Sequence, residues 1–145
     1  MYYSESGDEQ KRFNTRDGVG FAMLKEAGLE VAIITGEDTR IVQRRAAKLK
    51  IDHVFQGVKD KKLVAESLLQ ELGLSWTQFA YIGDDINDLS VMHAAGFTAT
   101  VSDGMGKLKI VADYVCKLPG GGGAFREFAE LILKSIDRNL VGGEP

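Results

Sequence analysis

Thr35-Gly36, Lys61 and Gly83-Asp84-Asp85 are the groups in this 145-residue chain best suited to hold a phosphate beside a metal ion. Thr35-Gly36 closes the apolar run Val31-Ala32-Ile33-Ile34. A threonine hydroxyl can donate to a phosphate oxygen, and a glycine lets a backbone N–H come close. A helix starting within a few residues would favour an anion there. The same residues also suit a simple cap on that helix. Gly83-Asp84-Asp85, followed by Asn87 and Asp88, closes the run Phe79-Ala80-Tyr81-Ile82. Carboxylates this close repel one another, and a cation relieves the repulsion. Oxygen ligands alone point to a hard ion, with Mg2+ beside phosphate the common case. Asp85 and Asp88 could instead cap a helix and complement its dipole, which leaves the strand-end pair unexplained. Between these clusters lies Gly57-Val58-Lys59-Asp60-Lys61-Lys62, where a helix opens. A lysine in a first helical turn opposes the dipole unless it faces an anion. Lys59 and Lys62 read as a solvated charged loop.

Strands and helices alternate around these groups. Residues 2–13 read as a β-hairpin about Ser6-Gly7-Asp8, and a short helix runs from Asp17-Gly18 to a stop at Gly28. Residues 31–34, 53–55, 79–82, 97–101 and 114–117 are predicted strands, the first and third buried on both faces. Helices are predicted over 39–49, over 63–72 with a stop at Gly73, from Leu89 to Gly96, and from Ala124 to about Ile136 after the glycine run 120–123. The tail Gly142–Pro145 is expected to be mobile. The alternation predicts one α/β domain over residues 1–145, with a three-layer, mostly parallel sheet and right-handed crossovers. Ligands of such sheets bind beyond the carboxyl ends of the strands.

The net charge of -3 offers no electrostatic case for nucleic acid or an anionic membrane as partner. No apolar run approaches the ~20 residues of a membrane span, and Met1–Glu5 carries no signal pattern, so the cytoplasm is expected. The one cysteine, Cys116, permits no internal disulfide and reads as a buried structural thiol. His53 and His93 are expected to be structural.

The order Thr-Gly, Lys, then Gly-Asp-Asp-x-x-Asp resembles the haloacid-dehalogenase superfamily, and within it the phosphatases of 3-deoxy-manno-octulosonate 8-phosphate. Further matching pieces are Tyr2-Tyr3-Ser4-Glu5-Ser6-Gly7-Asp8-Glu9, Phe13-Asn14-Thr15-Arg16-Asp17-Gly18, Phe55-Gln56-Gly57-Val58-Lys59-Asp60-Lys61, Pro119-Gly120-Gly121 and Ala124-Phe125-Arg126-Glu127. The resemblance implies a Mg2+-dependent hydrolase of a phosphorylated sugar acid without a large cap domain. Thr35 and Gly36 would hold the phosphoryl group, and Lys61 would neutralise it. Asp84 would bind Mg2+, with Asp85 supporting the metal or orienting Lys61. Arg16, Asn87 and Arg126 would contact the substrate. Relatives of this type form tetramers in which the early hairpin packs between subunits.

The family also begins with a central strand ending in Asp-x-Asp-Gly, whose first Asp attacks phosphorus. That motif does not occur in these 145 residues, and Thr15-Arg16-Asp17-Gly18 is no substitute. The expectation is an N-terminally incomplete form of a longer enzyme, inactive alone, with the strands ending at Thr35 and Asp84 lacking a shared neighbour. The alternative is a non-catalytic oligomerisation module like that at the C-terminus of acylneuraminate cytidylyltransferases. A receiver-type signalling domain is disfavoured, because its acidic pair precedes its Thr and Lys.

Overall fold

Each long helix is set by its caps. The computed structural model describes residues 2–7 and 9–141, with side chains through 137; Met1, Asp8 and the tail 142–145 lie outside the described residues. Asn14 Oδ1 accepts from the Arg16 N–H at 2.8 Å, so α1 spans Thr15–Glu26, two residues ahead of Asp17. Thr39 caps α2 (Arg40–Lys48). Asp60 Oδ1 accepts from the Leu63 N–H at 3.0 Å and starts α3 (Lys61–Leu72) earlier than the predicted Leu63, which places Lys61 at its first position. Gly28 and Gly73 sit at φ 80° and 65°, the left-handed conformation that ends α1 and α3. The predicted helix from Leu89 to Gly96 is shorter, a 3-10 turn at Ile86–Asp88 followed by α4 (Leu89–Met92). A helix absent from the prediction, α5 (Gly106–Val111), follows. The last helix, α6, spans Ala124–Val141.

Among the described residues, seven short strands join them. β1 (Tyr2–Tyr3) and β2 (Glu9–Gln10) form the predicted hairpin, narrower than 2–13. β3 (Ala32–Ile34) pairs in parallel with β4 (His53–Phe55). β5 (Ala80–Gly83), β6 (Phe97–Thr100) and β7 (Tyr114–Val115) form a second parallel sheet in that order. The sheet is therefore in two pieces, and among the described residues β3 and β5 each carry an open edge, as the expected lack of a shared neighbour implied. Both were predicted to be buried on both faces; instead their apolar residues are half-buried, because neither has a ladder neighbour on one side. β6, flanked on both sides, buries Thr98, Ala99 and Thr100.

Helices hold the pieces together. α1 packs along α6, and α3 against α4. Phe21 stacks on Phe125 with centroids 3.9 Å apart. Asp17 Oδ1 accepts from the Arg126 N–H at 3.0 Å, so a side chain of α1 caps the first turn of α6. Gly20 makes the close approach possible: a Cβ there would lie 3.2 Å from the Arg126 Cα and 3.3 Å from the Phe125 ring. Beneath α6 lies the core of Ala99, Val101, Cys116, Ala124 and Phe128. Burial pushes the Cys116 thiol up to about 11, the behaviour of an inert buried cysteine.

Replacing Gly20 with Leu is expected to force α1 off α6 and cost ~1–3 kcal/mol by overpacking. Urea denaturation followed by circular dichroism checks this, and the wild-type midpoint is the outcome that contradicts it.

Candidate active site

The polar centre of the molecule is Asp88, which is 1% exposed. Its Oδ1 accepts from Lys61 Nζ and from the Tyr81 hydroxyl, both at 2.6 Å. Its Oδ2 accepts from the Asp84 and Asp85 N–H groups at 2.9 and 3.1 Å. Lys61, 8% exposed, reaches it from the start of α3, so one ion pair joins α3 to the turn after β5. Gly83 leaves the room required: a Cβ there would sit 2.6 Å from the Asp88 side chain. The Thr100 hydroxyl fixes the same strand end by donating to the Gly83 carbonyl at 2.8 Å.

Burial by itself would raise the Asp88 carboxyl pKa. The Lys61 ammonium, the Tyr81 hydroxyl and the two amides outweigh it and hold the group below the usual carboxylate range. The Tyr81 phenol is pushed up, first by burial and then by Asp88. Asp84 behaves differently. Partial burial, followed by the neighbouring Asp88, raises its carboxyl pKa, and Lys61 offsets this only in part. Its carboxylate, only partly covered, thus lies in excess negative charge, a setting that favours a cation.

Thr35 is joined to the same region through the backbone. Its carbonyl accepts from the Val58 N–H at 3.0 Å, three residues before Lys61. Its hydroxyl accepts from the Glu37 N–H at 3.1 Å, as in a capped turn, and keeps its own hydrogen to donate. Gly36 is exposed, and a Cβ there would make only ordinary contact at 3.6 Å with the Val58 carbonyl.

Of the two roles implied for Asp85, supporting the metal or orienting Lys61, the second falls to Asp88. Lys61 is oriented by Asp88, whereas Asp85 Oδ1 accepts from the Ile86 N–H at 2.7 Å and caps the 3-10 turn. Asp88 and Tyr81 were not among the predicted site residues. Asp88 could have been found from its spacing to the apolar Val91, Met92 and Ala95, which puts it on the buried side of its turn. Arg16 and Asn87 are exposed, in the first turn of α1 and in the 3-10 turn. The Arg126 guanidinium bonds Glu130 at 2.7 Å.

A cavity of about 180 Å³ opens beside the end of β5, walled by Asp17, Ile82, Gly83, Asp84, Gly120 and Phe125. Among the described residues no three acidic, histidine or cysteine side chains converge as a metal cage. Asp84 and Asp85 are hard oxygen donors, and Mg2+ is commonly held by one or two carboxylates together with phosphate oxygens and water. The donor set therefore fits an ion shared with a phosphate.

The family model for haloacid dehalogenase-like hydrolases matches residues 16–96. This chain belongs to that family. The chain is 40% identical over 133 residues, 92% of this chain and 71% of the relative, to 3-deoxy-D-manno-octulosonate 8-phosphate phosphatase KdsC of Escherichia coli K12. The crystal structure of the Yersinia pestis phosphatase of that name aligns with a TM-score of 0.91 at 41% identity, covering 94% of this chain and 74% of that one. The Moraxella catarrhalis phosphatase, in complex with magnesium ion, phosphate ion and a KDO molecule, aligns at 0.89 and 40% identity, covering 99% and 84%. These likenesses agree with the predicted family and α/β fold class.

Three outcomes are expected of this chain. Asp88→Ala leaves Lys61 buried without its counter-charge and costs about 3–5 kcal/mol in urea denaturation. Because the Asp88 pKa is depressed on folding, its contribution is full above the unfolded carboxylate pKa and fades as pH falls through the folded one. Urea midpoints taken between about pH 6 and pH 3 should therefore fall less steeply for Asp88→Ala than for the wild type. Gly83→Ala is expected to displace Asp88 and cost ~1–3 kcal/mol, a loss that thermal denaturation would register.

Proposed function

We propose that the chain provides the phosphate- and Mg2+-binding part of a phosphomonoester hydrolase for a sugar acid phosphate of the 3-deoxy-D-manno-octulosonate 8-phosphate type. The carrying observation is the buried Lys61–Asp88 pair, which holds an ammonium and the Asp84–Asp85 turn against each other. The likeness to phosphatases of that name supports the substrate class.

Lys61 has three N–H donors and gives one to Asp88; the others are available to a phosphate at the strand ends. The Thr35 hydroxyl and the Gly36 amide donate to the same group. Asp84, assisted by Asp85, holds Mg2+, which when bound spreads the charge of the phosphate oxygens. Arg16, Asn87 and Arg126 face the sugar acid. Lys61 and Thr35 hold the phosphoryl group in line with an attacking carboxylate, and hydrolysis passes through an aspartyl phosphate.

That carboxylate would stand at the end of a strand between β3 and β5, whose open edges suit such a neighbour. No Asp-x-Asp sequence occurs in these 145 residues, so this chain alone binds phosphate without turning over substrate. In the assembled enzyme, a cytoplasmic homotetramer, the hairpin would pack between subunits through Tyr2 and Tyr3, which are 68% and 69% exposed.

Calorimetric titration with inorganic phosphate should show saturable binding that EDTA abolishes. Thr35→Val should weaken it about tenfold, the ~1.4 kcal/mol of one hydrogen bond to a charged oxygen. Phosphate release from 3-deoxy-D-manno-octulosonate 8-phosphate should stay at the buffer rate. Failure to bind phosphate would favour the non-catalytic module, and rapid release would show that no additional carboxylate is needed.

A further inference from the structure

Glu37 follows Thr35-Gly36 directly, which puts a carboxylate in the loop that is to hold a phosphate. Its backbone is fixed there. The Glu37 N–H donates to the Thr35 hydroxyl at 3.1 Å, and the Glu37 carbonyl accepts from the Gly57 N–H at 3.1 Å. A negative side chain two residues from Thr35 repels an anion unless it is drawn aside and its charge balanced.

Lys11, in the segment that leaves β2, meets that need. Its Nζ donates to Glu37 Oε2 at 2.7 Å, across 26 residues of sequence. The lysine side chain is 11% exposed, against 44% for Glu37, so the ammonium is the enclosed member of the pair. Glu9 Oε1, enclosed and without a hydrogen bond, faces the same ammonium at 3.5 Å. Among the described residues no other cation pairs with Glu37: Lys61 is engaged by Asp88, Arg126 by Glu130 and Lys25 by Asp52. Asp38, one residue further, is exposed and adds the same background charge to every variant considered below.

Resting on the function proposed above, we infer that Lys11 is a positioning residue for the phosphate site: it holds the Glu37 carboxylate off the Thr35-Gly36 loop and cancels its charge. The lysine acts through Glu37 and does not touch the ligand. Because Thr35 and Gly57 hold the Glu37 backbone, the side chain can be altered without moving the loop. The segment after the hairpin thereby tunes a site built on β3 and α3. Whatever displaces Lys11 from Glu37 lowers phosphate affinity, and by linkage a bound phosphate favours the pair.

The test is calorimetric titration of inorganic phosphate into the chain with Mg2+ present. Lys11→Met should bind about tenfold more weakly at low salt, the effect of one unbalanced charge near the site. Raising KCl to about 0.5 M should narrow the gap to about threefold or less, because screening removes a charge effect and not a packing defect. Lys11→Arg, which keeps the charge, should bind as the wild type does. The double variant Lys11→Met/Glu37→Gln should recover to within about twofold of the wild type, a rescue that a merely structural lysine would not show. Glu37→Gln alone, at an exposed side chain, keeps the test open if the lysine variants do not fold. It should bind phosphate about threefold more tightly, since Lys11 is then unbalanced by Glu37. The inference is overturned if Lys11→Met binds like the wild type, if the double variant stays as weak as Lys11→Met, or if Glu37→Gln binds more weakly. A wild type that takes up no phosphate removes the functional reading and this inference together; a wild type that binds while the variants depart from these outcomes removes the inference alone.

Discussion

Placing an ammonium and a carboxylate in a protein interior demands compensation, and Lys61 and Asp88 provide it for each other. Removing either charge from water costs several kcal/mol, and such a pair persists only where the remaining lone pairs and protons also find partners. Asp88 meets this condition with the Tyr81 hydroxyl and two consecutive backbone amides. Those amides belong to Asp84 and Asp85, so the same bonds that make the buried charge tolerable set the course of the chain just past β5. The cap at Asp60 and the missing side chain at Gly83 are the local conditions for the arrangement. One interaction thus ties the start of α3 to the turn after β5 and sets how that turn runs and which carboxylates remain at the surface.

The sheet shows the opposite situation, a demand left unmet. β3 and β5 have apolar sequences suited to the middle of a parallel sheet, yet each is paired on one side only. Their apolar residues are half-buried, whereas Thr98, Ala99 and Thr100 of β6 are enclosed. The helices carry the connection that a ladder would otherwise make, α1 against α6 and α3 against α4.

Much of this was legible in the residues. Apolar runs ending in Thr35-Gly36 and Gly83-Asp84-Asp85 located β3, β5 and the polar groups at their ends, and the stops at Gly28 and Gly73 fell where expected. Helix starts were misjudged because the side chain that caps a helix lies ahead of its apolar stripe: Asn14 and Asp60 moved α1 and α3 forward. The six-residue α5 is too short to show a period. Asp88 was weighed among the clustered acids as a cap; its spacing to Val91, Met92 and Ala95 marks it as buried, but not its partner, since Lys61 lies 27 residues away. For Arg126, the competing partner was Glu130, four residues on. Local pattern shows which residues can do chemistry; it does not show which of them are already engaged by one another.

The bond from the Arg126 amide to Asp17 joins positions 109 residues apart. Closing so long a loop carries an entropic penalty that local helix contacts do not. On the ribosome, α1 would emerge early and wait, its glycine face uncovered, until α6 had been synthesised. During that interval the unpaired edges of β3 and β5 are also accessible, which is the circumstance in which chaperones are most needed. The packing of α1 along α6, which this cap marks, therefore waits until α6 has been made.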